Sequence, residues 1–298
     1  MTEPLIVVPL DGSELSEGAL PYAVALAKAT GARLLLVTTW AGADGELLAA
    51  LPDVTKDLSQ RATQYYQEYL AGVAERTKAK GIEVETSVCI GHAADEVLRV
   101  LAERDPRLLV MATHGRSGLS RWLYGSVAGE LVREAPVPTL AVGPRVLEAQ
   151  AADVGIHRIL VPLDGSPLSE AALPPAIELA QKLGASMTLA QVIQIAAQAF
   201  AFGVPEAYIP EIDQKMVEAA GAYLKRVVDG LQSKVPVDTV VLRGAPADAL
   251  LSIVDAQQID LVVMASRSRA GLARAFLGSV ADRMLQGAAP VLLIRPEE

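Results

Sequence analysis

The sequence predicts an α/β fold made twice: a parallel sheet wrapped by helices on both faces, followed by a second copy of the same arrangement. Three observations carry this expectation. Short apolar runs alternate with longer segments of helical spacing along the chain, the order that produces a parallel sheet with crossover helices. Several of the runs are continuous rather than alternating in polarity, as in strands buried on both faces. Whole segments also recur: VPLDGSELSEGALP, starting at Val8, returns as VPLDGSPLSEAALP, starting at Val161, and RLLVMATHGRSGLSRWLYGSV, starting at Arg107, returns as DLVVMASRSRAGLARAFLGSV, starting at Asp260. The common offset of 153 residues carries Gly31-Ala32 onto Gly184-Ala185, Gly91 onto Gly244, Gly118 onto Gly271, Gly125 onto Gly278 and Ser126 onto Ser279. A period this long marks duplicated domains rather than a solenoid.

In chain order, Leu5 to Leu10 reads as the first strand, ending at the turn Asp11-Gly12-Ser13, where Ser13 or Ser16 offers a helix cap. The next helix carries Leu15, Ala19, Leu20, Ala23, Leu26 and Ala27 on one side; Pro21 inside it predicts a bend or restart. Gly31 stops it, and Arg33 to Trp40 is the second strand. Ala41 to Leu51 reads as a loop, Thr55 to Lys80 as a long polar-faced helix closed by Gly81, and Ile82 to Ile90 as the third strand. Gly91-His92-Ala93-Ala94-Asp95 turns into a helix ending near Arg104. Leu108 to Ala112 is the fourth strand, a helix opens at Gly125-Ser126, and Thr139 to Val142, beside Pro136 and Pro138, is the fifth strand. Gly143 to Gly155 reads as a linker, so the domains are expected at 1–145 and 156–298. The second repeats the order, with strands near Arg158 to Leu163, Met187 to Ile193, Val237 to Arg243, Leu261 to Ala265 and Val291 to Ile294. Its stretch from Gln194 to Asp213 gathers Phe200, Phe202 and Tyr208 with Val204 and Ile209, and reads as a lid or partner surface, with local core packing as the alternative.

Composition narrows the function. The 298 residues leave room for two cores, and with 51% hydrophobic but only 4% aromatic residues those cores should be Leu, Val, Ala and Ile. The net charge of -9 argues against nucleic acid as the main partner, which requires a basic face. A single cysteine, Cys89, excludes an intrachain disulfide or a cysteine zinc cluster and is expected in the core. No apolar run reaches the roughly 18 residues of a membrane span. Without a basic and apolar leader at its start, a cytoplasmic protein with no membrane partner is the default expectation.

The glycine loops carry the chemistry. A buried strand, Leu108 to Ala112, runs into His114-Gly115-Arg116-Ser117-Gly118, and Gly125-Ser126 then opens a helix whose apolar positions include Val127, Ala128, Leu131 and Val132. Glycines allow backbone N–H groups to approach phosphate oxygens, the Ser126 hydroxyl adds a donor, and the first turn of a helix favours an anion. Arg116 and Arg121 bring positive charge. In an open α/β sheet the ligand lies beyond the carboxyl ends of the strands where strand order reverses, so Asp11 and the Gly115 loop face one pocket if the first and fourth strands are neighbours.

These residues resemble the universal stress protein family, as a tandem of two domains. ATP-binding members carry the pattern G-x2-G-x9-G-[ST]. Ala112, Gly115, Gly125 and Ser126 follow it with alanine in place of the first glycine; in the second half Ala265 and Ser268 occupy the first two positions, and Gly278-Ser279 complete it. The resemblance implies flavodoxin-like, Rossmann-like domains, each a five-stranded parallel sheet of order 3-2-1-4-5. It also implies adenine near Pro9, Asp11 and Thr39 and phosphates on Gly115, Arg116, Ser117, Gly118, Ser126, Val127 and Ala128, with Leu10, Ala112, His114 and Gly125 as further cofactor-binding residues. The second-half counterparts are Pro162, Leu163, Asp164, Val192, Ala265, Arg267, Ser268, Arg269, Gly271, Gly278, Ser279, Val280 and Ala281. The cofactor implied is ATP, or AMP or ADP, with Mg2+ carried on the phosphates and Asp11 as one contact. The domains are expected to pair through their fifth strands, and whole chains to form a homodimer.

Blander readings stand beside these. Asp11 and Asp164 each suit a plain turn-and-cap role, Arg116 and Arg121 suit solvated loop charges, and Gly125-Ser126 suits a cap alone. His114 reads as a phosphate or loop hydrogen-bonding group, with structural and catalytic roles as alternatives. His92 and His157 read as surface or cap residues, and three scattered histidines predict no metal site. No G-x4-G-K-[ST], early G-x-G-x-x-G or nucleophile elbow is present. The leading expectation is a nucleotide-dependent regulator in stress response that hydrolyses ATP slowly or not at all. An interaction module of the same fold without nucleotide is second, and a slow ATPase third.

Overall fold

The computed structural model describes residues 3–41, 52–113, 125–149, 154–194, 209–231, 233–266 and 278–296, with residues 52–56 described by backbone alone. The chain divides into two units, Met1–Val154 and Gly155–Glu298.

In the first unit the described elements are β1 (Leu5–Pro9), α1 (Glu14–Glu17), α2 (Leu20–Thr30), β2 (Arg33–Trp40), α3 (Pro52–Lys78), β3 (Val84–Ile90), α4 (Ala93–Arg104), β4 (Leu108–Ala112), α5 (Ser126–Glu134), β5 (Thr139–Val142) and α6 (Pro144–Glu148). The strands pair in the order β3-β2-β1-β4-β5, all parallel, as expected of a flavodoxin-like sheet. The continuous apolar runs mark the middle of the sheet: Val7, Val8, Leu34, Leu36, Leu109, Val110 and Leu140 are all fully buried. Helices on both faces remove both sides of each such strand from water.

The restart expected at Pro21 occurs. Ser13 caps α1 by accepting from the Ser16 N–H at 3.2 Å, the chain breaks at Gly18 and Ala19, and α2 begins with Pro21 in its first turn, where its missing N–H costs no helix bond. Gly31 closes α2 in the left-handed conformation, as Gly184 closes its counterpart. The long helix starts at Pro52 rather than Thr55, and the third strand at Val84 rather than Ile82, although Ile82 is buried.

The segment read as a linker begins with structure. α6 lies within it, and its Val146 and Leu147 are buried. Leu147 covers Gly18 so closely that a Cβ there would fall 2.4 Å from Leu147 Cδ2. The second repeat carries Ala171 at the matching position. Only two apolar residues in a five-residue helix left too little periodicity for this packing to be legible.

The second unit comprises β6 (Arg158–Pro162), α7 (Pro167–Glu170), α8 (Leu173–Leu183), β7 (Ser186–Ile193), α9 (Ile209–Gly230), β8 (Val237–Arg243), α10 (Pro246–Ala256), β9 (Leu261–Ala265), α11 (Ser279–Met284) and β10 (Val291–Ile294). Its strands pair in the order β8-β7-β6-β9-β10, again parallel. The turn and cap are reproduced: Ser166 accepts from the Ser169 N–H at 3.2 Å. Of the aromatic stretch, Ile209 begins α9, while Phe200, Phe202, Val204 and Tyr208 lie outside the described residues. Cys89 is buried, as its place in a strand predicted. Among the described residues, no helix is long and apolar enough to cross a membrane.

Candidate functional site

β1 and β4 pair through Ile6 with Leu108 and Val7 with Leu109, and the ladder goes no further. The sequence provides a reason. Leu10 donates its N–H to Val37 O of β2 at 2.8 Å, so the preceding residue faces β4, and that residue is Pro9, which has no N–H to give. β1 and β4 are also where strand order reverses, with β2 on one side and β4 on the other, so the unpaired carboxyl ends stand at the switch point.

A crevice of about 220 Å³ opens there. Pro9, Leu10 and Asp11 supply one wall, Val37 and Thr39 of β2 extend it, and Met111 and Ala112 of β4 lie opposite. Ala93 and Val97 of α4, with Gly125, Ser126, Val127, Ala128 and Leu131 around the start of α5, close the far side, and Ser16 reaches in from α1. The Gly125 N–H bonds Thr113 O at 3.1 Å, and the first intrahelical bond runs from the Gly129 N–H to Gly125 O at 2.8 Å. The N–H groups of Ser126, Val127 and Ala128 therefore precede the helix's own ladder, at the end that favours negative charge.

Asp11 is held in place by its own turn. The Ser13 hydroxyl donates to Asp11 Oδ1 at 2.6 Å, the Ser13 N–H reaches the same oxygen at 2.9 Å, and the Asp11 N–H donates to Ser16 Oγ at 3.3 Å. Asp164 repeats this with Ser166 at 2.5 and 2.9 Å and Ser169 at 3.2 Å. Burial opposes the charge on Asp164, but the hydroxyl and N–H of Ser166 and the hydroxyl of Ser169 outweigh it and hold the carboxyl below its usual value. The turn-and-cap reading and the ligand reading thus describe one arrangement: the turn fixes a carboxylate on the crevice wall.

A tyrosine from the long helix stands behind each turn. Tyr223 of α9 donates its hydroxyl to Glu170 Oε1 at 2.8 Å. Tyr69 of α3 is its counterpart beside Glu17 and Ser16, but among the described residues its buried hydroxyl makes no hydrogen bond of good geometry, and Glu17 pairs with Arg76 at 2.8 Å. Burial first, then the neighbouring glutamate, pushes both phenols above their usual range.

Of the residues the sequence nominates in the first unit, Pro9, Leu10, Asp11, Thr39, Ala112, Gly125, Ser126, Val127 and Ala128 meet in the crevice. His114, Gly115, Arg116, Ser117 and Gly118 lie outside the described residues, as do Arg267, Ser268, Arg269 and Gly271. Alanine in place of the first glycine introduces no strain, since neither Ala112 nor Ala265 has positive φ. Ser16, Val37, Ala93, Val97, Met111 and Leu131 complete the lining without having been nominated. In the second unit Pro162, Leu163 and Asp164 follow β6, Val192 lies on β7, Ala265 ends β9, and Ser279, Val280 and Ala281 open α11. That helix has six residues against nine in α5, and Gly278 before it has φ of 100° where Gly125 has −54°, so the two helix mouths are approached differently.

A doubled parallel α/β protein with its crevice at the switch point and a helix mouth inside it is the class that fold and geometry define. The universal stress protein family model matches the chain twice, over residues 5–143 and 155–295. The chain belongs to the universal stress protein family, as a tandem of two such domains. It is similar to a universal stress protein of Mycolicibacterium smegmatis, with 28% identity over 99% of this chain and 98% of that protein. It is also similar to one of Mycobacterium tuberculosis, with 32% identity over 64% of this chain and 62% of that protein. The crystal structure of a universal stress protein from Archaeoglobus fulgidus superposes with a TM-score of 0.68 at 20% identity, covering 99% of each chain, and so shares the fold.

Proposed function

We propose that the first unit binds an adenine nucleotide and that the chain acts as a nucleotide-dependent regulator in stress response, with hydrolysis slow or absent. The observation that carries this reading is the crevice between β1 and β4, where the first N–H groups of α5 and the pre-positioned Asp11 line one space. Phosphate suits the helix mouth by charge and by its need for donors. The ribose suits Asp11, whose carboxylate accepts from hydroxyls, and the base suits the apolar walls at Pro9, Val37 and Val97, with Thr39 as a polar neighbour. Mg2+ would arrive on the phosphates, next to Asp11. The second unit, with its shorter helix and different approach at Gly278, binds more weakly or differently.

Denaturing freshly purified protein and chromatographing the released small molecules tests this, followed by calorimetric titration of the emptied chain with ATP, ADP and AMP. About one tight nucleotide per chain is expected. A protein that is both empty and indifferent to all three is an interaction module instead, and two equal tight sites refute the difference between the units.

A further inference from the structure

From its sequence context His92 suits a surface or cap role outside any metal site, but the fold places this residue with two carboxylates from different helices. His92 is the N-cap of α4 without making a side-chain cap bond, Asp95 lies in the first turn of α4, and Glu130 projects from α5. One donor atom from each lies within 4.8 Å of the other two, and His92 Nδ1 stands 3.5 Å from Asp95 Oδ2. The second repeat supplies an independent comparison. At the offset of 153, His92 becomes Ala245, Asp95 remains Asp248 and Glu130 becomes Arg283. There, Arg283 Nη2 pairs with Asp248 Oδ1 at 2.7 Å. The duplicate thus fills the space beside the shared aspartate with a cation of its own. The first repeat puts a second carboxylate there and adds an imidazole.

We propose that His92, Asp95 and Glu130 hold one first-row divalent transition-metal cation, which occupies the place of the Arg283 guanidinium. Two carboxylates and a neutral imidazole match a divalent charge, and the nitrogen donor favours zinc or cobalt over the oxygen-preferring magnesium, calcium and manganese. In tetrahedral zinc, bonds of about 2 Å set ligand atoms about 3.3 Å apart. His92 and Asp95 are already near that spacing, and rotation of exposed side chains brings Glu130 in. Helix-dipole compensation accounts for Asp95 in both repeats, but not for Glu130 in the middle of α5 or for the imidazole. Arg99 does not neutralise the group, being taken by Glu96 and Glu103 at 2.7 and 2.8 Å. Three protein donors leave an open position toward solvent. His92 adjoins Ala93 and Glu130 lies one turn beyond Ser126, both on the crevice, so the ion ties α4 to α5 at the rim. The site needs no nucleotide, and its test stands apart from the nucleotide reading.

The test is calorimetric titration of the nucleotide-free full chain with zinc chloride alone, with cobalt absorption as a second signal. One zinc per chain in the micromolar range is expected, with visible cobalt bands. His92→Ala should weaken zinc at least tenfold. Glu130→Arg, which installs the second repeat's own ion pair with Asp95, should abolish binding without lowering the melting temperature. Cys89→Ser should bind zinc as the parent does. Failure of the parent to bind zinc or cobalt, unchanged binding in Glu130→Arg, or loss of binding in Cys89→Ser overturns the proposal.

Discussion

The Ser13 hydroxyl donates to Asp11 Oδ1 at 2.6 Å while its oxygen accepts from the Ser16 N–H at 3.2 Å. One hydroxyl thus caps a helix and fixes a carboxylate on the crevice wall, and Ser166 does the same for Asp164. Ser13→Ala should cost about 1 kcal/mol, the usual effect of a lost N-cap, and Ser166→Ala about the same, both measured by urea denaturation. Their effects on nucleotide should differ. Ser13→Ala removes the shorter of the two Ser13 bonds to Asp11 Oδ1 and should weaken adenine-nucleotide affinity severalfold in calorimetry, whereas Ser166→Ala leaves the tight site intact. Equal affinity in parent and Ser13→Ala would remove Asp11 from the grip.

Asp164 provides a pH test. Its carboxyl titrates below the usual value in the folded chain, so between that lowered value and the ordinary one of about 3.9 the unfolded chain binds more protons. The stabilisation is therefore complete above the ordinary value and is lost as pH falls through the folded one. Asp164→Asn should flatten the acid limb of stability against pH in thermal melts below about pH 4, while remaining parallel to the parent at neutral pH. An unchanged acid limb would mean that the turn's hydrogen bonds do not favour the charged form.

Ala93 tests the crevice without touching its polar groups. It lines the space from the first turn of α4 and is partly exposed, so leucine in its place projects into the crevice rather than into the core. Ala93→Leu should leave the melting temperature within a few degrees and weaken ATP at least tenfold. Undiminished ATP binding would place the nucleotide elsewhere.

The strands were legible because burial on both faces leaves a continuous apolar run, and Val7, Leu35, Leu109 and Val263 need no other context. The polar and glycine parts of the crevice were legible because they repeat. The rest of its apolar lining was not: Val37, Val97, Met111 and Leu131 face the crevice, yet in sequence they are indistinguishable from residues that fill a core. The tyrosines behind the turns were hidden for another reason. Tyr69 and Tyr223 are separated by 154 residues where the rest of the repeat is separated by 153, and only the packing of α3 and α9 brings them to the same place. The cluster of His92, Asp95 and Glu130 depends on two helices lying side by side, which no local pattern encodes.

The tyrosines should respond unequally to loss of the hydroxyl. Tyr223 donates a hydrogen bond to the Glu170 carboxylate at 2.8 Å, a charge-assisted bond in a partly buried setting, so Tyr223→Phe should cost about 1 kcal/mol. Tyr69 has a buried hydroxyl with no acceptor in good bonding geometry among the described residues, though Glu17 and Ser16 lie beside it, so Tyr69→Phe removes a poorly satisfied group and should be neutral or slightly stabilising. Arg76→Ala changes this by releasing Glu17, and in that background Tyr69→Phe should become destabilising. A double-mutant cycle in urea reads this coupling directly, and additivity would show that Arg76 does not control the tyrosine.

The two helix mouths differ in what their glycines must do. Gly278 has φ of 100° and, among the described residues, nothing within 4 Å of where a Cβ would stand, whereas Gly125 has φ of −54° and Thr113 O at 3.9 Å. No described neighbour obstructs a Cβ at either, so the difference between them is one of backbone conformation. Gly278→Ala should destabilise the chain by at least about 1–2 kcal/mol, the cost of placing an L-residue in left-handed backbone. Gly125→Ala should be nearly neutral in the nucleotide-free protein, because its backbone suits any residue. With ATP present the ranking should reverse: a methyl at Gly125 stands at the helix mouth where phosphate approaches, so Gly125→Ala loses most of the ligand-induced rise in melting temperature, while Gly278→Ala keeps a rise equal to that of the parent. A full ATP-induced rise in Gly125→Ala would show that the phosphates do not use the mouth of α5.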